Sequence, residues 1–414
     1  MLLIRRFAGA GLGAALAVTL LSSPLHAEGA ADFPACVAGL RQDAVKAGIS
    51  RPVAEQSLAG VQFNGRVIEL DRAQPEFFQT FWGYFNARIS DQRVAKGREM
   101  LGQHRQLLAR VEAQYGVPAR YLVSFWGMES AYGQFTGGFK VMESLATLAC
   151  DPRRADFFKT ELFNAMRIVA EGAMPAGKML GSWAGAMGQT QFMPSTFLRY
   201  AIDFDGDGKR ELWTSLPDIM GSSARYLSTV GWKRDEAWGR EVKLPATFDW
   251  EQADLAVKKS GAEWAAMGVR EANGQALAEA PAGSIVLPGG WRGPAFLVFD
   301  NFRTIMVWNR SVAYAVAVGH LADRLEGKPP LVAQKPADDE PISRERVLDM
   351  QARFVALGYD VGNADGVVGA KTRIAARAFQ KRYGLPADGY PTNELLVQLR
   401  SVTPQVAPPA ATPR

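Results

Sequence analysis

A proline-rich, charged stretch from Gly327 to Ile342 limits how this chain can fold, because it divides the sequence into two unequal parts. The stretch holds four prolines and an Asp-Asp-Glu run, so it offers little apolar surface to a core and predicts an extended linker. At 414 residues the chain is also too long for one ordinary core. We therefore expect a large domain over residues 28–326, a small domain over residues 343–400 and a disordered Pro- and Ala-rich tail over residues 401–414.

The first 27 residues have the three parts of a secretory signal peptide. Arg5 and Arg6 precede an apolar run from Phe7 to Leu21, and Leu25-His26-Ala27 is suited to cleavage. The alternative is an uncleaved membrane anchor, but the run is short for a spanning helix and rich in small residues. No cysteine lies near the cleavage site to carry a lipid. The pattern predicts export to the periplasm without a stable membrane anchor.

Composition is that of a globular protein, with 48% hydrophobic and 21% charged residues. The formal charge is +5, and removal of Arg5 and Arg6 leaves about +3. This mildly basic balance would suit an anionic polymer such as cell-wall glycan, whereas the lysines and arginines lack the clustering that nucleic-acid binding requires. Cys36 and Cys150 can form a disulfide in an oxidising compartment or remain two buried thiols, and both alternatives stay open.

The large domain is predicted to be mainly helical. An amphipathic pattern runs from Ala31 to about Gly116, with aromatic residues between positions 77 and 85 that suit a core. Further helical patterns cover residues 155–170 and 311–325. Short apolar runs broken by glycine and proline between residues 239 and 308 predict a few strands. The predicted fold class is therefore mainly α (α+β), with a small β-containing lobe.

One glutamate occupies an unusual position in a predicted helix from Tyr121 to Tyr132. Leu122, Phe125, Trp126 and Glu129 fall at i, i+3, i+4 and i+7, so the acid shares a helix face with large apolar groups. Loss of hydration raises the pKa of such a carboxyl group and lets it donate a proton near neutral pH. We interpret Glu129 as the general acid of a glycosidic-bond-cleaving enzyme. The alternative is a glutamate that reaches the surface or pairs with an arginine.

Two further segments carry polar groups that suit a ligand. Residues 181–195 are rich in glycine, serine and glutamine, which allow close backbone approach and hydrogen bonding to sugars, although a turn-rich connector has the same composition. Residues 203–211 resemble the start of a calcium-binding loop, with oxygen ligands at alternate positions. Its twelfth position is Thr214 rather than a glutamate, and Asp218 is near enough to complete a variant site. An acidic turn that caps its own backbone is the alternative.

Other enzyme classes lack support in the sequence. The mature chain keeps only His104 and His320, without metal-ligand spacing, and no phosphate-binding or dinucleotide fingerprint is present. Most glycosidases use two carboxylates, and near Glu129 only Glu143 is a candidate partner. A single carboxylate that acts first as acid and then as base would suffice if the substrate supplied its own nucleophile.

Four runs together resemble the lytic murein transglycosylase B family: F-W-G-M-E-S-A-Y-G, G-S-W-A-G-A-M-G-Q-T-Q-F-M-P-S, D-F-D-G-D-G-K-R-E-L-W and N-F-R-T-I-M-V-W-N-R-S-V-A-Y. They occur in the family's order, and the resemblance covers about Phe33 to Leu325. It implies a lysozyme-like catalytic domain that cleaves the bond between N-acetylmuramic acid and N-acetylglucosamine in peptidoglycan. The muramic acid's 6-hydroxyl replaces water as the nucleophile and leaves a 1,6-anhydro end.

The resemblance also implies roles for individual residues. Glu129 matches the catalytic acid and base, and no cofactor is needed for the chemistry. The positions that match sugar-binding or acid-orienting residues are Ser182, Gln191, Tyr226, Trp308, Asn309 and Tyr314. The aspartate loop is similar to a segment that binds calcium in some members, with Asp203, Asp205, Asp207 and Asp218 as candidate ligands.

The small C-terminal domain resembles a peptidoglycan-binding domain of the three-helix type. Its marks are Asp365-Gly366 and Phe379-Gln380, and the resemblance covers nearly all of residues 343–400. It implies peptidoglycan glycan strands as the partner and a role in raising the local concentration of the wall near the cleft. Other cell-wall enzymes as partners are left open. The rival functions are a hydrolytic muramidase and a non-enzymatic wall-binding protein.

Overall fold

The computed structural model describes residues 24–73 and 79–402, and its architecture is mainly α-helical, as predicted. Most of the predicted signal peptide and nearly all of the predicted tail lie outside the described residues. In the large domain the helices are α1 Pro24–Lys46, α2 Arg51–Ser57, α3 Gly65–Ala73, α4 Phe81–Arg88, α5 Asp91–Gln103, α6 Arg105–Tyr115, α7 Ala119–Ser130, α8 Val141–Ala149, α9 Ala155–Ala170, α10 Pro194–Tyr200, α11 Leu216–Thr229, α12 Gly261–Ala266, α13 Asp300–Trp308 and α14 Val312–Leu325. None of the helices in the described ranges is long and apolar enough to cross a membrane.

The core of the large domain lies around α7 and α14. Helix α14 is buried along most of its length, and the Ser124 hydroxyl of α7 donates a hydrogen bond to the Val318 carbonyl of α14 at 2.7 Å. A disulfide joins Cys36 of α1 to Cys150 at the end of α8. The structure therefore resolves the choice between paired and free thiols in favour of the disulfide.

Helix α7 ends at Ser130, two residues before the end of the helix predicted from Tyr121 to Tyr132. Ala131 and Tyr132 both adopt left-handed backbone conformations, with φ of 50° and 62°, so the helix cannot continue through them. The Tyr132 hydroxyl donates to the Arg93 carbonyl at 2.8 Å, and its ring lies so close to Gly127 that a Cβ there would be 2.6 Å from it. Packing of this ring, rather than a glycine cap, ends the helix.

Two antiparallel sheets complete the large domain. Strands β1 Phe139–Lys140 and β2 Leu180–Gly181 form a two-stranded ribbon. Strands β3 Gly239–Lys243, β4 Arg270–Glu271, β5 Ser284–Val286 and β6 Ala295–Val298 form the small lobe in the order β4-β3-β6-β5. The lobe has its own small core, which includes Trp264, Leu297 and Phe299. The strands fall within the segment where the sequence predicts them.

The C-terminal domain consists of α15 Arg344–Ala356, α16 Ala370–Arg382 and α17 Asn393–Ser401 around its own apolar cluster. Met350, Phe354 and Phe379 are fully buried in it.

The linker contains no helix or strand but is held against the small lobe. The Glu241 carboxylate of β3 accepts hydrogen bonds from the backbone N–H groups of Val332 and Ala333 at 2.7 and 2.8 Å. Arg292 forms an ion pair with Asp338 at 2.6 Å. The linker therefore lies on a surface instead of spanning free solvent.

Candidate active site

Glu129 lies at the C-terminal end of α7, where α13 and α14 bring an indole and a phenol to its carboxylate. The indole N–H of Trp308 donates to Glu129 Oε1 at 3.0 Å, and the Tyr314 hydroxyl donates to the same oxygen. Glu129 Oε2 has no hydrogen-bond partner among the residues that the structure describes. Because the side chain remains partly accessible, Oε2 is the oxygen left for a substrate.

Burial raises the pKa of Glu129 from 4.5 to about 7. The hydrogen bonds from Tyr314 and Trp308 lower it, as does the positive charge of Arg88, but these effects are smaller than that of burial. Within the described ranges Glu129 forms no ion pair with an arginine or lysine, so the pairing alternative does not describe it. Near neutral pH the carboxyl group therefore populates both its protonated and its ionised form.

An aromatic wall holds Trp308 in place against the glutamate. Its ring centroid lies 4.5 Å from that of Phe125 and 5.0 Å from that of Tyr226, and Tyr226 stacks on Tyr200 at 4.4 Å. The Tyr226 hydroxyl donates to the Val307 carbonyl at 3.3 Å. Tyr226 therefore contacts the site through Trp308 and does not touch Glu129.

The glycine-rich loop lies against the segment that follows α7. Gln191 Nε2 donates to the carbonyls of Thr136 and Gly188, both at 2.9 Å, so its amide joins the two loops. Gly137 has φ of 99°, and a Cβ there would clash with the Gly181 carbonyl oxygen. The glycine at 137 is thus required for the two loops to meet.

Ser182 and Asn309 use their side chains mainly within their own turns. The Ser182 hydroxyl accepts from the Ala186 N–H at 3.1 Å, and Asn309 Oδ1 accepts from the Ser311 N–H at 3.1 Å. Neither residue contacts Glu129, and Asn309 is exposed beside Trp308. Their assignment to substrate binding stays a prediction.

Two residues of α4, Tyr84 and Arg88, complete the surroundings of Glu129 and were missed in the sequence analysis. The Arg88 guanidinium lies 3.9 Å from the centroid of the Tyr84 ring. Burial, with a smaller contribution from the negative charge of Glu129, raises the pKa of Tyr84 to about 12, against the opposing effect of the Arg88 charge. In the sequence, Tyr84 belongs to an aromatic run typical of a core and Arg88 is an ordinary last-turn cation, so no local signal distinguishes them.

The structure brings no second carboxylate to Glu129 within its described ranges. Glu143, the partner considered from the sequence, instead accepts a hydrogen bond from the Asn64 side chain at 3.2 Å. Glu161 is buried and binds the backbone N–H of Ser195 at 2.9 Å. The arrangement can therefore support acid and base steps at one carboxyl group, but it lacks the paired carboxylates of a usual glycosidase.

The aspartate loop brings three of its four predicted ligands together. Carboxylate oxygens of Asp203, Asp205 and Asp218 lie within 4.8 Å of one another. Asp207, the fourth predicted ligand, is not one of these three, and its Oδ1 accepts from the Lys209 N–H at 2.8 Å. The assignment of the four aspartates as metal ligands stays a prediction.

Burial raises the pKa of Asp218, and the negative charges of Asp205 and Asp203 raise it further. Only two backbone N–H groups, from Phe204 and Glu211, oppose this effect. A buried carboxylate beside two like charges is costly without a cation. This donor set fits a hard divalent cation that prefers oxygen ligands.

Known protein families match both domains of the chain. The family model described as transglycosylase SLT domain matches residues 32–323, and the one described as putative peptidoglycan binding domain matches residues 343–399. Membrane-bound lytic murein transglycosylase B of Escherichia coli (strain K12) is 33% identical over 240 residues, or 56% of this chain and 64% of the relative. The chain thus matches less than two thirds of that relative's length.

Solved structures extend the similarity. SltB3 from Pseudomonas aeruginosa, in complex with NAG-anhNAM-pentapeptide, is 46% identical with a TM-score of 0.85, covering 89% of this chain and 99% of that one. The E. coli lytic transglycosylase Slt35 in complex with calcium is 29% identical with a TM-score of 0.61, covering 70% and 92%. Because the transglycosylase SLT domain model matches residues 32–323, which is more than half of the chain, the chain belongs to the transglycosylase SLT domain family.

Proposed function

We propose that this chain is a lytic murein transglycosylase that cleaves the β-1,4 bond between N-acetylmuramic acid and N-acetylglucosamine in peptidoglycan. One observation carries the proposal: the pKa of Glu129 is raised to about 7, and no other carboxylate among the described residues acts on it. The SltB3 structure, whose ligand is NAG-anhNAM-pentapeptide, supports peptidoglycan as the substrate.

In the first step, the protonated Glu129 donates its proton to the glycosidic oxygen as the bond from that oxygen to the anomeric carbon breaks. In the second step, the Glu129 carboxylate takes the proton of the muramoyl 6-hydroxyl as this oxygen bonds to the anomeric carbon. No water is consumed, and Glu129 ends protonated as it began. The hydrogen bonds from Trp308 and Tyr314 hold Oε1, which leaves Oε2 to exchange the proton.

The products of peptidoglycan digestion test the proposal. A transglycosylase releases 1,6-anhydro ends that are lighter by one water than the reducing ends released by a hydrolytic muramidase. Mass analysis of digests should find anhydro ends with the wild-type chain and none with Glu129→Gln, which keeps the shape of the side chain but removes its proton. Reducing ends alone would favour the muramidase, and undiminished release by the variant would exclude Glu129 as the acid.

We also infer a structural calcium ion held by Asp203, Asp205 and Asp218, with the Lys209 backbone carbonyl as a further candidate ligand. The clustered carboxylates support it, and the calcium complex of Slt35 is a precedent in a relative. The ion would neutralise the like charges of the loop and has no part in the proton transfers. Addition of calcium to chelator-treated protein should raise the melting temperature, and an unchanged value would favour an empty acidic turn.

Export to the periplasm follows from the predicted signal peptide and from the location of the substrate. The C-terminal domain, which matches the peptidoglycan-binding model, would hold the wall near the cleft. Detection of the mature chain in a periplasmic fraction, with residues 1–27 removed, would test the localisation. Retention of the intact N-terminus in the membrane fraction would contradict it.

A further inference from the structure

Two arginines face each other where α4 ends and α5 begins, next to the turn that follows Glu129. Arg88 is in the last turn of α4 and Arg93 in the first turn of α5. One guanidinium nitrogen of Arg93 donates to the Arg88 carbonyl at 3.0 Å. We call these two residues the arginine pair.

Neither member of the arginine pair forms an ion pair among the described residues, because no carboxylate oxygen lies within 4.0 Å of either guanidinium group. Both side chains are only partly exposed, and burial lowers the pKa of Arg93. A cation in the first turn of a helix is also opposed by the positive end of the helix dipole. A partly buried positive charge without a counter-charge is costly, and a ligand that supplies the negative charge would remove that cost.

Two contacts connect the arginine pair to residues near Glu129, and neither contact involves Glu129 itself. The Tyr132 hydroxyl, three residues after Glu129, donates to the Arg93 carbonyl at 2.8 Å. The Arg88 guanidinium lies over the ring of Tyr84, 3.9 Å from its centroid. The charge of Arg88 lowers the pKa of Glu129, and the charge of Glu129 raises the pKa of Tyr84. The pair therefore lies near Glu129 and not on a remote surface.

We infer that the arginine pair is a carboxylate-binding site for the peptide stem attached to the muramoyl sugar. The inference rests on the proposed function and deepens it, because peptidoglycan carries its negative charges as carboxylates on that stem. A guanidinium matches a carboxylate with parallel hydrogen bonds, and Arg88 has all its guanidinium N–H groups free for this among the described residues. The pair would thus select stem-bearing strands and fix the muramoyl sugar over Glu129.

The test compares two substrates that differ only in charge. Soluble glycan strands with intact stems are compared with the same strands after carbodiimide coupling to ammonia, which converts the stem carboxylates to neutral amides. The rate of anhydro-product formation gives kcat/KM for each. The wild-type chain should prefer the charged strands by about fivefold, the effect of one modest ion pair.

Arg88→Gln and Arg93→Gln should reduce this preference towards one, and Arg88→Lys should restore part of it. Arg98→Gln is the matched control, because it removes the same charge from α5 at a position whose guanidinium binds the Arg324 carbonyl at 2.6 Å. It should keep the wild-type preference. Melting temperatures check that each variant is folded.

An equal loss on both substrates in Arg88→Gln would overturn the inference, because the arginine would then act on the fold or on Glu129 alone. Absence of any wild-type preference would overturn it too. In either case anhydro products would still form, so the proposed function would stand. Failure of the proposed function is distinct: neither substrate would then give anhydro ends.

Discussion

Replacement of Tyr314 by phenylalanine should shift the pH dependence of the reaction to higher pH. The Tyr314 hydroxyl donates a hydrogen bond to Glu129 Oε1, and this bond favours the ionised form and lowers the pKa of Glu129. Without it, burial acts against one remaining donor, the Trp308 indole at 3.0 Å. The pKa of Glu129 therefore rises above its wild-type value of about 7.

The size of the shift follows from the strength of one hydrogen bond to a charged group. Such a bond contributes about 1.5–3 kcal/mol, and one pH unit corresponds to about 1.4 kcal/mol. Removal of the hydroxyl also opens space through which water can solvate the carboxylate, and this offsets part of the loss. We expect a shift of about one pH unit.

The assay is the pH profile of kcat/KM for release of anhydro products. Because Glu129 must first be protonated, kcat/KM falls as pH rises through its pKa, and in Tyr314→Phe this fall should occur about one pH unit higher. Tyr226→Phe is the matched control: it removes a hydroxyl from the same aromatic wall, but that hydroxyl binds the Val307 carbonyl. In Tyr226→Phe, kcat/KM should fall at the same pH as in the wild type, whatever the effect of the substitution on the rate. A fall in Tyr314→Phe that stays in place or moves to lower pH would refute the assignment.

Four further predictions concern stability and the loops. Because the folded-state pKa of Glu129 is raised to about 7, the unfolding free energy of the wild-type chain should fall relative to that of Glu129→Gln by up to about 3 kcal/mol as pH rises from 4.5 to 8, as denaturant titrations of both at both pH values will measure. The difference isolates Glu129, because other groups such as His320, whose pKa burial lowers to about 3, affect both chains alike. Reduction of the Cys36–Cys150 disulfide, which closes a sequence separation of 114 residues, should cost about 2–5 kcal/mol by the same method; a smaller change would mean that the reduced chain retains this contact. Gly137→Ala should lower the melting temperature and the rate of anhydro-product release, because the Cβ meets the Gly181 carbonyl oxygen at φ of 99°; an unchanged rate would show that the two loops need not meet. Asp218→Asn should abolish any calcium-dependent rise in melting temperature, and a rise that persists would place the ion elsewhere.

Features that depend on neighbouring residues could be predicted from the sequence. The apolar spacing in residues 155–170 predicts a helix with the bounds that α9 has, Ala155–Ala170, since a 3.6-residue period needs no distant contact. The same period places Glu129 among aromatic residues. The mainly α fold and the family were likewise within reach, because four motifs in a fixed order carry much more information than one.

Features that depend on tertiary packing could not be predicted. Tyr314 reaches Glu129 across 185 positions in the sequence, and only the resemblance pointed to it. Arg88 had no local signal at all, because its importance comes from its electrostatic effect on Glu129, which is distant in the sequence.

The composition of the linker predicts an extended tether, whereas the structure holds the linker against the small lobe. A free tether would only raise the local concentration of the wall near the cleft. In the structure, however, the C-terminal domain contacts the small lobe through the ion pairs Arg377–Asp254 at 3.0 Å and Lys381–Glu251 at 2.6 Å. The Trp291 N–H adds a hydrogen bond to Asp388 at 2.8 Å.

These contacts fix the orientation of the C-terminal domain relative to the small lobe, as well as holding the two close together. Exposed ion pairs contribute about 0–1 kcal/mol each, so the interface is weak pair by pair, and salt would screen it. While it is formed, a glycan strand held by the C-terminal domain has a fixed direction relative to the small lobe and hence to Glu129. For the proposed activity, raised salt should therefore reduce turnover of long strands more than turnover of short fragments that occupy only the cleft. Equal salt sensitivity of long and short substrates would mean that the domain acts as a tether after all.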